Sequence, residues 1–278
     1  MSHDHSAEAL VGQNIRAYAK RASIYNAIHG EIFNPKEQRR LRETVTRASA
    51  AITSTGTQAL DFGTGTGNVT EHMLDIGFQV TAADLSPQFL QIVEERYNIP
   101  TIQLIGGSLA HLPDSSYDLI GAYSVMHHIP DYLGAIAKLI TKLRPGGVLL
   151  IDHEHNDTYW HPTPELIDFR RENAEARTGR FWDPDHKRLQ YLLRAAMTPR
   201  RHLARLRRRL RISDEGDIHV YADDHIEWDR ILDLLQDTGA ELVERVDYLL
   251  FNEGCNEQIW ERYRTRCNDQ TYMIARRP

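Results

Sequence analysis

A glycine-rich turn after a short apolar run constrains the fold of this chain more than any other feature. Residues 59–62, Ala-Leu-Asp-Phe, lead directly into the turn Gly-Thr-Gly-Thr-Gly at 63–67, and Asp84 closes the next apolar run. Glycine is required where φ is positive or where a ligand touches the backbone. A strand, such a turn and a helix present backbone N–H groups to a ligand. We therefore predict a nucleoside-cofactor site in which ribose hydroxyls donate to Asp84.

The turn differs from the dinucleotide-binding fingerprint in two ways. Asn68 stands where the third glycine of that fingerprint would fall. Asp61 comes just before the turn, and a carboxylate there would repel a pyrophosphate but suits the ammonium group of an amino acid. Both differences disfavour NAD and FAD as cofactors.

Strands and helices alternate along the chain, which predicts βαβ units and a parallel sheet. The predicted strands are near 57–62, 79–84, 101–106, 117–123 and 147–152. The predicted helices are at 11–50, 67–76, 86–97 and 131–143. Later in the chain we predict a helix at 224–238, capped by Asp223 or Asp224, and strands near 241–250 and 270–276. Ligands of such sheets bind at the carboxyl ends of the strands.

Several segments together resemble the class I S-adenosylmethionine-dependent methyltransferases. The turn at 60–67 is similar to the first motif of that family, Asp84 to its ribose-binding acid, and residues 107–120, 124–129 and 143–152 to its later motifs. The resemblance covers roughly 15–155 and, more weakly, 220–276. It implies an α/β fold: a Rossmann-like, seven-stranded, mostly parallel sheet with a final antiparallel pair. It also implies S-adenosylmethionine as the cofactor.

The resemblance and the strand ends together give a set of expected cofactor-binding residues. They are Tyr18, Tyr25, Asp61, Gly63, Thr64, Gly65, Asp84, Leu85, Ser108, Leu109 and Ser124. Ser108 stands where the family usually has an Asp for the adenine amino group. The backbone and side chain of Leu109 would also hold the ring. Tyr18 and Tyr25 would close over the methionine end; packing of an amphipathic helix is the alternative for both.

Methyl transfer to a hydroxyl group needs a base, and His is the usual one near neutral pH. His127 and His128 follow the fourth strand, so either is a candidate base, with Asp152 as the orienting group. In the alternative interpretation the pair only packs or bonds to backbone.

A second group of residues has the types that bind metals but no compact ligand spacing. Its members are Asp152, His153, Glu154, His155, His161, Asp183, Asp185 and His186. We predict no metal there, with a metal near His153 and His155 as the alternative, and retain substrate contact by these two histidines.

We predict three regions: an N-terminal helical cap at 1–50, the cofactor-binding domain at 51–153 and 221–278, and an inserted helical lid at 154–220. Four aromatic residues in the lid favour either an aromatic or apolar acceptor or a lid core: Tyr159, Trp160, Phe181 and Trp182.

The segment 187–211 carries ten Lys or Arg and no acid, in a chain of net charge −6. One interpretation is a lid helix whose arginines pair with the acidic body. The others are contact with a membrane surface or a phosphate group, and nucleic acid, which we do not expect.

Composition sets the remaining expectations. The chain has 278 residues and two cysteines, Cys255 and Cys267, and contains no run of 18 apolar residues. Its N-terminus lacks a signal pattern. These features predict a cytoplasmic protein with reduced thiols.

The leading hypothesis is methyl transfer to a small-molecule hydroxyl group, with an amine or carbon acceptor as alternatives. A methyltransferase fold with another activity or none, and a nucleic-acid or membrane-lipid methyltransferase, are the competing hypotheses. The oligomeric state and the acceptor are not specified by the sequence.

Overall fold

The structure is a computed structural model that describes residues 25–179 and 217–278, apart from residue 253. Tyr18, the aromatic residues Phe181 and Trp182, and the basic segment 187–211 lie outside the described residues. None of the helices in the described ranges is long and apolar enough to cross a membrane.

Seven strands form one sheet. The strands of the described chain are β1 (Gln58–Phe62), β2 (Gln79–Asp84), β3 (Thr101–Gln103), β4 (Tyr117–Tyr123), β5 (Leu143–His155), β6 (Val220–Tyr221), β7 (Asp224–His225), β8 (Glu241–Tyr248) and β9 (Gln270–Arg276). The large sheet has the order β3-β2-β1-β4-β5-β9-β8, and β6 pairs with β7 in a separate hairpin. The first five strands are parallel, and β9 runs antiparallel to both β5 and β8. The predicted Rossmann-like sheet is confirmed.

Helices surround this sheet. They are α1 (Tyr25–Ile28), α2 (Pro35–Ala50), α3 (Asn68–Asp75), α4 (Pro87–Tyr97), α5 (Tyr132–Lys142), α6 (Asp157–Trp160), α7 (Pro164–Gly179), α8 (Trp228–Thr238) and α9 (Glu257–Tyr263). Leu60 and Ile120 pack in one apolar cluster, and their neighbours Ala59 and Leu119 pack in a second. Adjacent strand residues point to opposite faces, so both faces of the sheet are covered, as a parallel sheet requires.

Two predicted boundaries were wrong. The helix predicted at 224–238 begins only at Trp228, and its N-cap residue is Glu227 rather than Asp223 or Asp224. Asp224 pairs with Tyr221 across the β6–β7 hairpin, so its backbone is extended. The helical region predicted at 11–50 is interrupted before α2, because Asn34 caps that helix by accepting from the backbone N–H groups of Lys36 and Glu37.

The described part of the predicted lid packs against the C-terminal region. Leu166 and Phe169 of α7 share an apolar cluster with Ile259 and Tyr263. The Tyr263 hydroxyl also donates to Glu172 at 2.7 Å. These contacts attach α7 to α9. The boundaries of the three predicted regions, and the lid as a cover of the site, stay predictions.

A buried ionic network connects α2 to the sheet. The Arg40 guanidinium donates to both oxygens of Asp152 at 3.1 Å and to Glu37. The Tyr248 hydroxyl donates to Asp152 at 3.1 Å, and the Tyr123 hydroxyl donates to Glu37 at 3.0 Å. Burial raises the pKa of Asp152 to about 6, although Arg40 opposes the shift. Arg40 is therefore the cation that offsets the cost of burying the carboxylates of Asp152 and Glu37 in this part of the core.

We predict that Arg40→Ala lowers the free energy of unfolding by about 3–5 kcal/mol, because it leaves Asp152 and Glu37 buried without their cation. Urea denaturation measures the change. The control is Arg39→Ala, at an exposed position on the same helix, which should change the value by less than about 0.5 kcal/mol. Equal effects of the two substitutions would contradict the assigned role of the network.

Candidate functional site

A cavity of about 290 Å³ lies at the carboxyl ends of β1, β2 and β4. This is the edge where ligands bind in parallel sheets, since β1 and β4 are neighbours whose connections leave in opposite directions. The cavity brings together nine of the eleven residues expected to bind the cofactor: Tyr25, Asp61, Gly63, Thr64, Gly65, Asp84, Leu85, Leu109 and Ser124. Tyr18 lies outside the described residues, and Ser108 does not line the cavity.

The glycines of the turn fulfil two different requirements. Gly63, Gly65 and Gly67 all have positive φ, which favours glycine. A Cβ on Gly63 would lie 2.4 Å from Val125, whereas a Cβ on Gly65 would meet no atom within 4 Å. Protein packing therefore excludes a side chain at Gly63 but not at Gly65, where the open space belongs to the cavity. This space is what close approach of a ligand to the backbone needs.

Asp61 holds the turn in place. Its Oδ2 accepts from the Thr64 hydroxyl at 2.8 Å and from the Thr70 backbone N–H and hydroxyl at 2.9 and 2.6 Å. It therefore ties the turn to the first residues of α3. Among the described residues no donor bonds its Oδ1, although Asp61 lines the cavity. Burial raises the pKa of this carboxyl group. Contact between Oδ1 and an ammonium group stays a prediction.

Asp84 is fixed by the backbone before any ligand binds. It accepts from the Gly65 N–H at 3.0 Å and from the Ser86 N–H at 2.8 Å. Burial raises its pKa to about 6, against the effect of these bonds. A carboxylate has more acceptor sites than the two used here, so acceptor sites remain for the predicted bonds from ribose hydroxyls.

Ser108 and Leu109, the two residues expected at the adenine ring, differ in their exposure. Ser108 is exposed, and its hydroxyl accepts from the Ala110 N–H at 3.2 Å. Leu109 is buried and lines the cavity. Leu109 therefore lies where an apolar contact with the adenine ring is expected, whereas Ser108 does not line the cavity. Adenine contact by either residue stays a prediction. Phe89, which no sequence pattern indicated, also lines the cavity, and its ring centroid lies 5.3 Å from that of Tyr25.

A second pocket of about 230 Å³ adjoins the first. We call it the histidine pocket, because six histidines line it: His29, His127, His128, His153, His155 and His219. Tyr25, Ile32, Ser124 and His128 line both cavities. Its carboxylates are Glu31, Glu154 and Asp217, and no Lys or Arg is among its described lining residues. The pocket therefore carries an acidic, imidazole-rich surface beside the cofactor cavity.

Each of the two paired histidines has a carboxylate close to its Nδ1 atom. His127 Nδ1 lies 2.7 Å from Glu154 Oε2, and His128 Nδ1 lies 3.3 Å from Asp217 Oδ1. Asp152 was predicted to be the orienting group. This prediction is corrected, because the Asp152 carboxylate faces Arg40 and Tyr248 instead. Burial alone would raise the pKa of Glu154. The attraction and hydrogen bond of His127 have the larger opposite effect, so the pKa of Glu154 is lowered.

His153 and His155 both line the histidine pocket, as their expected contact with substrate requires. His153 has a φ of 62° and stacks on Tyr123 with ring centroids 4.7 Å apart. Burial lowers its pKa well below the usual range, and burial also lowers that of His155, to about 4. Both imidazoles are therefore neutral at pH 7. Tyr159 stacks on His155 at 3.5 Å, and Trp160 packs beside it, so these two lid aromatics support the pocket wall.

One group of side chains in the described ranges has metal-ligand geometry. His127, His128 and Asp217 each offer one ligand atom, and these atoms lie within 4.8 Å of one another. This group differs from the one considered in the sequence, and Asp217 was missed. No local spacing connects position 217 with 127, since the backbone brings them together through bonds from the N–H groups of Ile218 and His219 to the His127 carbonyl.

Comparisons with known proteins agree with this fold. A family model described as "Methyltransferase domain" matches residues 33–207, and the chain belongs to this family. It has the class I methyltransferase fold, and S-adenosylmethionine, the predicted cofactor, is the cofactor of this class. The open space at Gly65 and the fixed carboxylate of Asp84 fit that cofactor.

The individual relatives match more distantly. A ubiquinone biosynthesis O-methyltransferase of Xanthomonas campestris pv. campestris is 30% identical over 112 residues, which are 37% of this chain and 45% of the relative. The chain thus spans less than half the length of that curated relative.

Two solved structures show the fold alone. A chain from the complex of the Haloferax volcanii Trm112 methyltransferase activator with a methyltransferase has a TM-score of 0.55 at 13% identity, covering 94% of this chain and 97% of that one. An S-adenosylmethionine-dependent methyltransferase from Mesorhizobium loti has a TM-score of 0.51 at 17% identity, covering 84% and 96%.

We predict that affinity for S-adenosylmethionine falls as the pH drops through about 6, the pKa of Asp84. The folded-state pKa lies above the ordinary carboxyl value, so Asp84 is ionised at pH 7 and takes up a proton at lower pH, which removes acceptor sites for the ribose. Calorimetric titration between pH 5 and about 8 measures this. Asp84→Asn should bind more weakly with a flatter pH profile. An unchanged profile in that variant would refute the assignment to Asp84.

Proposed function

We propose that the protein transfers a methyl group from S-adenosylmethionine to a hydroxyl group of a small molecule held in the histidine pocket. The observation that carries this proposal is that His128 lines both cavities. A molecule in the histidine pocket would therefore meet the cofactor at His128. The cofactor, when bound, supplies a methyl group on a positively charged sulfur.

The size and charge of the histidine pocket support a small acceptor without negative charge. Its volume of about 230 Å³ suits a compact molecule. Its lining has three carboxylates and, among the described residues, no Lys or Arg to neutralise an anionic substrate. Contact of the basic segment 187–211 with a phosphate group or a membrane stays a prediction, because that segment lies outside the described residues. The O-methyltransferase name of the Xanthomonas relative agrees with a hydroxyl acceptor.

The two paired histidines would receive the acceptor proton. Glu154, bonded to His127 Nδ1, fixes the ring so that Nε2 faces the pocket side where Asp217 lies, 4.0 Å away. Asp217 Oδ1 lies 3.3 Å from His128 Nδ1. A neutral imidazole so held accepts a proton as the oxygen attacks the methyl carbon. The Asp152 carboxylate, by contrast, accepts from Arg40 and Tyr248 and has no part in this proton transfer.

We predict that Gly65→Arg abolishes S-adenosylmethionine binding while the protein stays folded, because the new side chain would enter the open space of the cavity. Gly77→Arg is the matched control. Gly77 also has positive φ and open space around its Cβ, so it has the same type of backbone strain, but it lies outside the cavity lining. Calorimetry should detect binding only in Gly77→Arg. Cofactor binding by Gly65→Arg at wild-type affinity would overturn the placement of the cofactor.

We predict that His127→Ala lowers kcat by about 10²–10⁴-fold, as loss of a general base does. Its affinity for S-adenosylmethionine should persist, because His127 does not line the cofactor cavity. Formation of S-adenosylhomocysteine is measured with phenols, aliphatic alcohols and amines offered as acceptors. His111→Ala, at an exposed position, is the control and should keep full turnover. Full turnover by both His127→Ala and His128→Ala would exclude these residues as bases.

A further inference from the structure

We infer that His127, His128 and Asp217 bind one divalent transition-metal ion beside the cofactor cavity, with the acceptor hydroxyl as a further ligand. The place of the acceptor rests on the proposed function, whereas binding of the ion does not. These three residues are called the metal group below.

The distances in the metal group are close to those of a formed site. Asp217 Oδ1 lies 3.3 Å from His128 Nδ1 and 4.0 Å from His127 Nε2. Two ligand atoms that are each about 2.1 Å from a tetrahedral ion lie about 3.4 Å apart. All three ligand atoms lie within 4.8 Å of one another. Side-chain rotations that move the ligand atoms by up to about 1.4 Å, the largest excess over that spacing, would therefore complete the site.

Glu154 prepares His127 as a ligand. Its Oε2 binds His127 Nδ1, while its Oε1 accepts from the backbone N–H groups of Val125 and Met126 at 2.9 and 2.7 Å. Glu154 is almost completely buried. Metal-binding histidines usually donate their second nitrogen to a carboxylate fixed in this way, which sets the tautomer and leaves the other nitrogen as an electron-pair donor. The partner at Nδ1 thus leaves Nε2 to face Asp217.

The backbone places Asp217 next to the histidines. The N–H groups of Ile218 and His219 both donate to the carbonyl oxygen of His127, at 3.0 and 3.1 Å. His219 Nε2 also bonds to the Ile129 carbonyl at 3.1 Å. The segment that carries the carboxylate is therefore held against the segment that carries both imidazoles. The metal group does not depend on a single side-chain contact.

The ligand types determine the class of ion. Two imidazoles and one carboxylate suit Zn²⁺, Fe²⁺, Co²⁺ or Ni²⁺, whereas Mg²⁺ and Ca²⁺ prefer oxygen ligands. Three protein ligands leave positions open for a hydroxyl group or water. The three carboxylates of the histidine pocket, with no described Lys or Arg in its lining, also favour a cation there.

Binding of the ion changes how the acceptor loses its proton. A nitrogen that holds an ion cannot accept a proton at the same time. A hydroxyl group on the ion is more acidic than a free one, so its proton passes to water. The ion therefore takes over the task that the imidazoles perform alone in the metal-free protein.

The test is a titration of the full chain with Co²⁺, followed by its visible absorption, and with Zn²⁺, followed by calorimetry. We expect about one ion per chain with nitrogen and oxygen ligands. Asp217→Asn should weaken binding by at least about 10-fold, and His127→Gln similarly. Asp217→Asn should keep wild-type affinity for S-adenosylmethionine, which shows that it folds, since Asp217 does not line the cofactor cavity. His111→Ala should bind Co²⁺ like the wild type.

Equal binding of Co²⁺ by wild type and Asp217→Asn, or no binding by either, would overturn the inference and leave methyl transfer by imidazole bases intact. Absence of S-adenosylmethionine binding would instead overturn the proposed function, whatever the Co²⁺ titration gives. Chelation of metal-loaded protein adds a third measurement: a fall in kcat supports the hydroxyl as a ligand. Unchanged kcat would overturn that part of the inference.

Discussion

The hydrogen bonds of one buried carboxylate hold the cofactor cavity in shape. Asp61 accepts three bonds on Oδ2, from Thr64 in the glycine turn and from Thr70 in α3. These bonds fix a turn whose glycines have positive φ, and the turn in turn presents the Gly65 N–H to Asp84. Burial disfavours the charged form of Asp61, so the three donors are what make an ionised group sustainable there. Loss of this anchor would release the turn, the start of α3 and the position of Asp84 together.

The order of the strands then places two pockets side by side. β4 lies between β1 and β5, so the segment after β4 borders both the cofactor turn and the end of β5. His127 and His128 occur in that segment, and Glu154 comes from β5. The histidine pocket is therefore a product of the sheet topology, with the antiparallel β9 closing its far side through Gln270.

The sequence predicted those features that depend on local pattern. Glycine spacing and strand–helix alternation are set by neighbouring residues, and the sheet, the turn, Asp61 and Asp84 follow from them. The partners of the histidines depend on contacts between distant segments. Asp152 was expected beside His127, but an irregularity in the pairing of β5 with β9 lies between Ile151 and Glu154. The positive φ of His153 within it turns Asp152 towards Arg40 and Glu154 towards His127. No pattern of residues in the sequence predicts such an irregularity in strand pairing.

The charges around the cofactor cavity have a consequence for turnover. Its lining carries Asp61, Asp84 and Asp131 against a single lysine, Lys138, among the described residues. This balance attracts a ligand with a positive sulfur more strongly than the same ligand without that charge. In the proposed reaction, methyl transfer would neutralise the sulfur, so the attraction between the acidic lining and the sulfur would be lost. The acidic lining would therefore favour release of the demethylated cofactor.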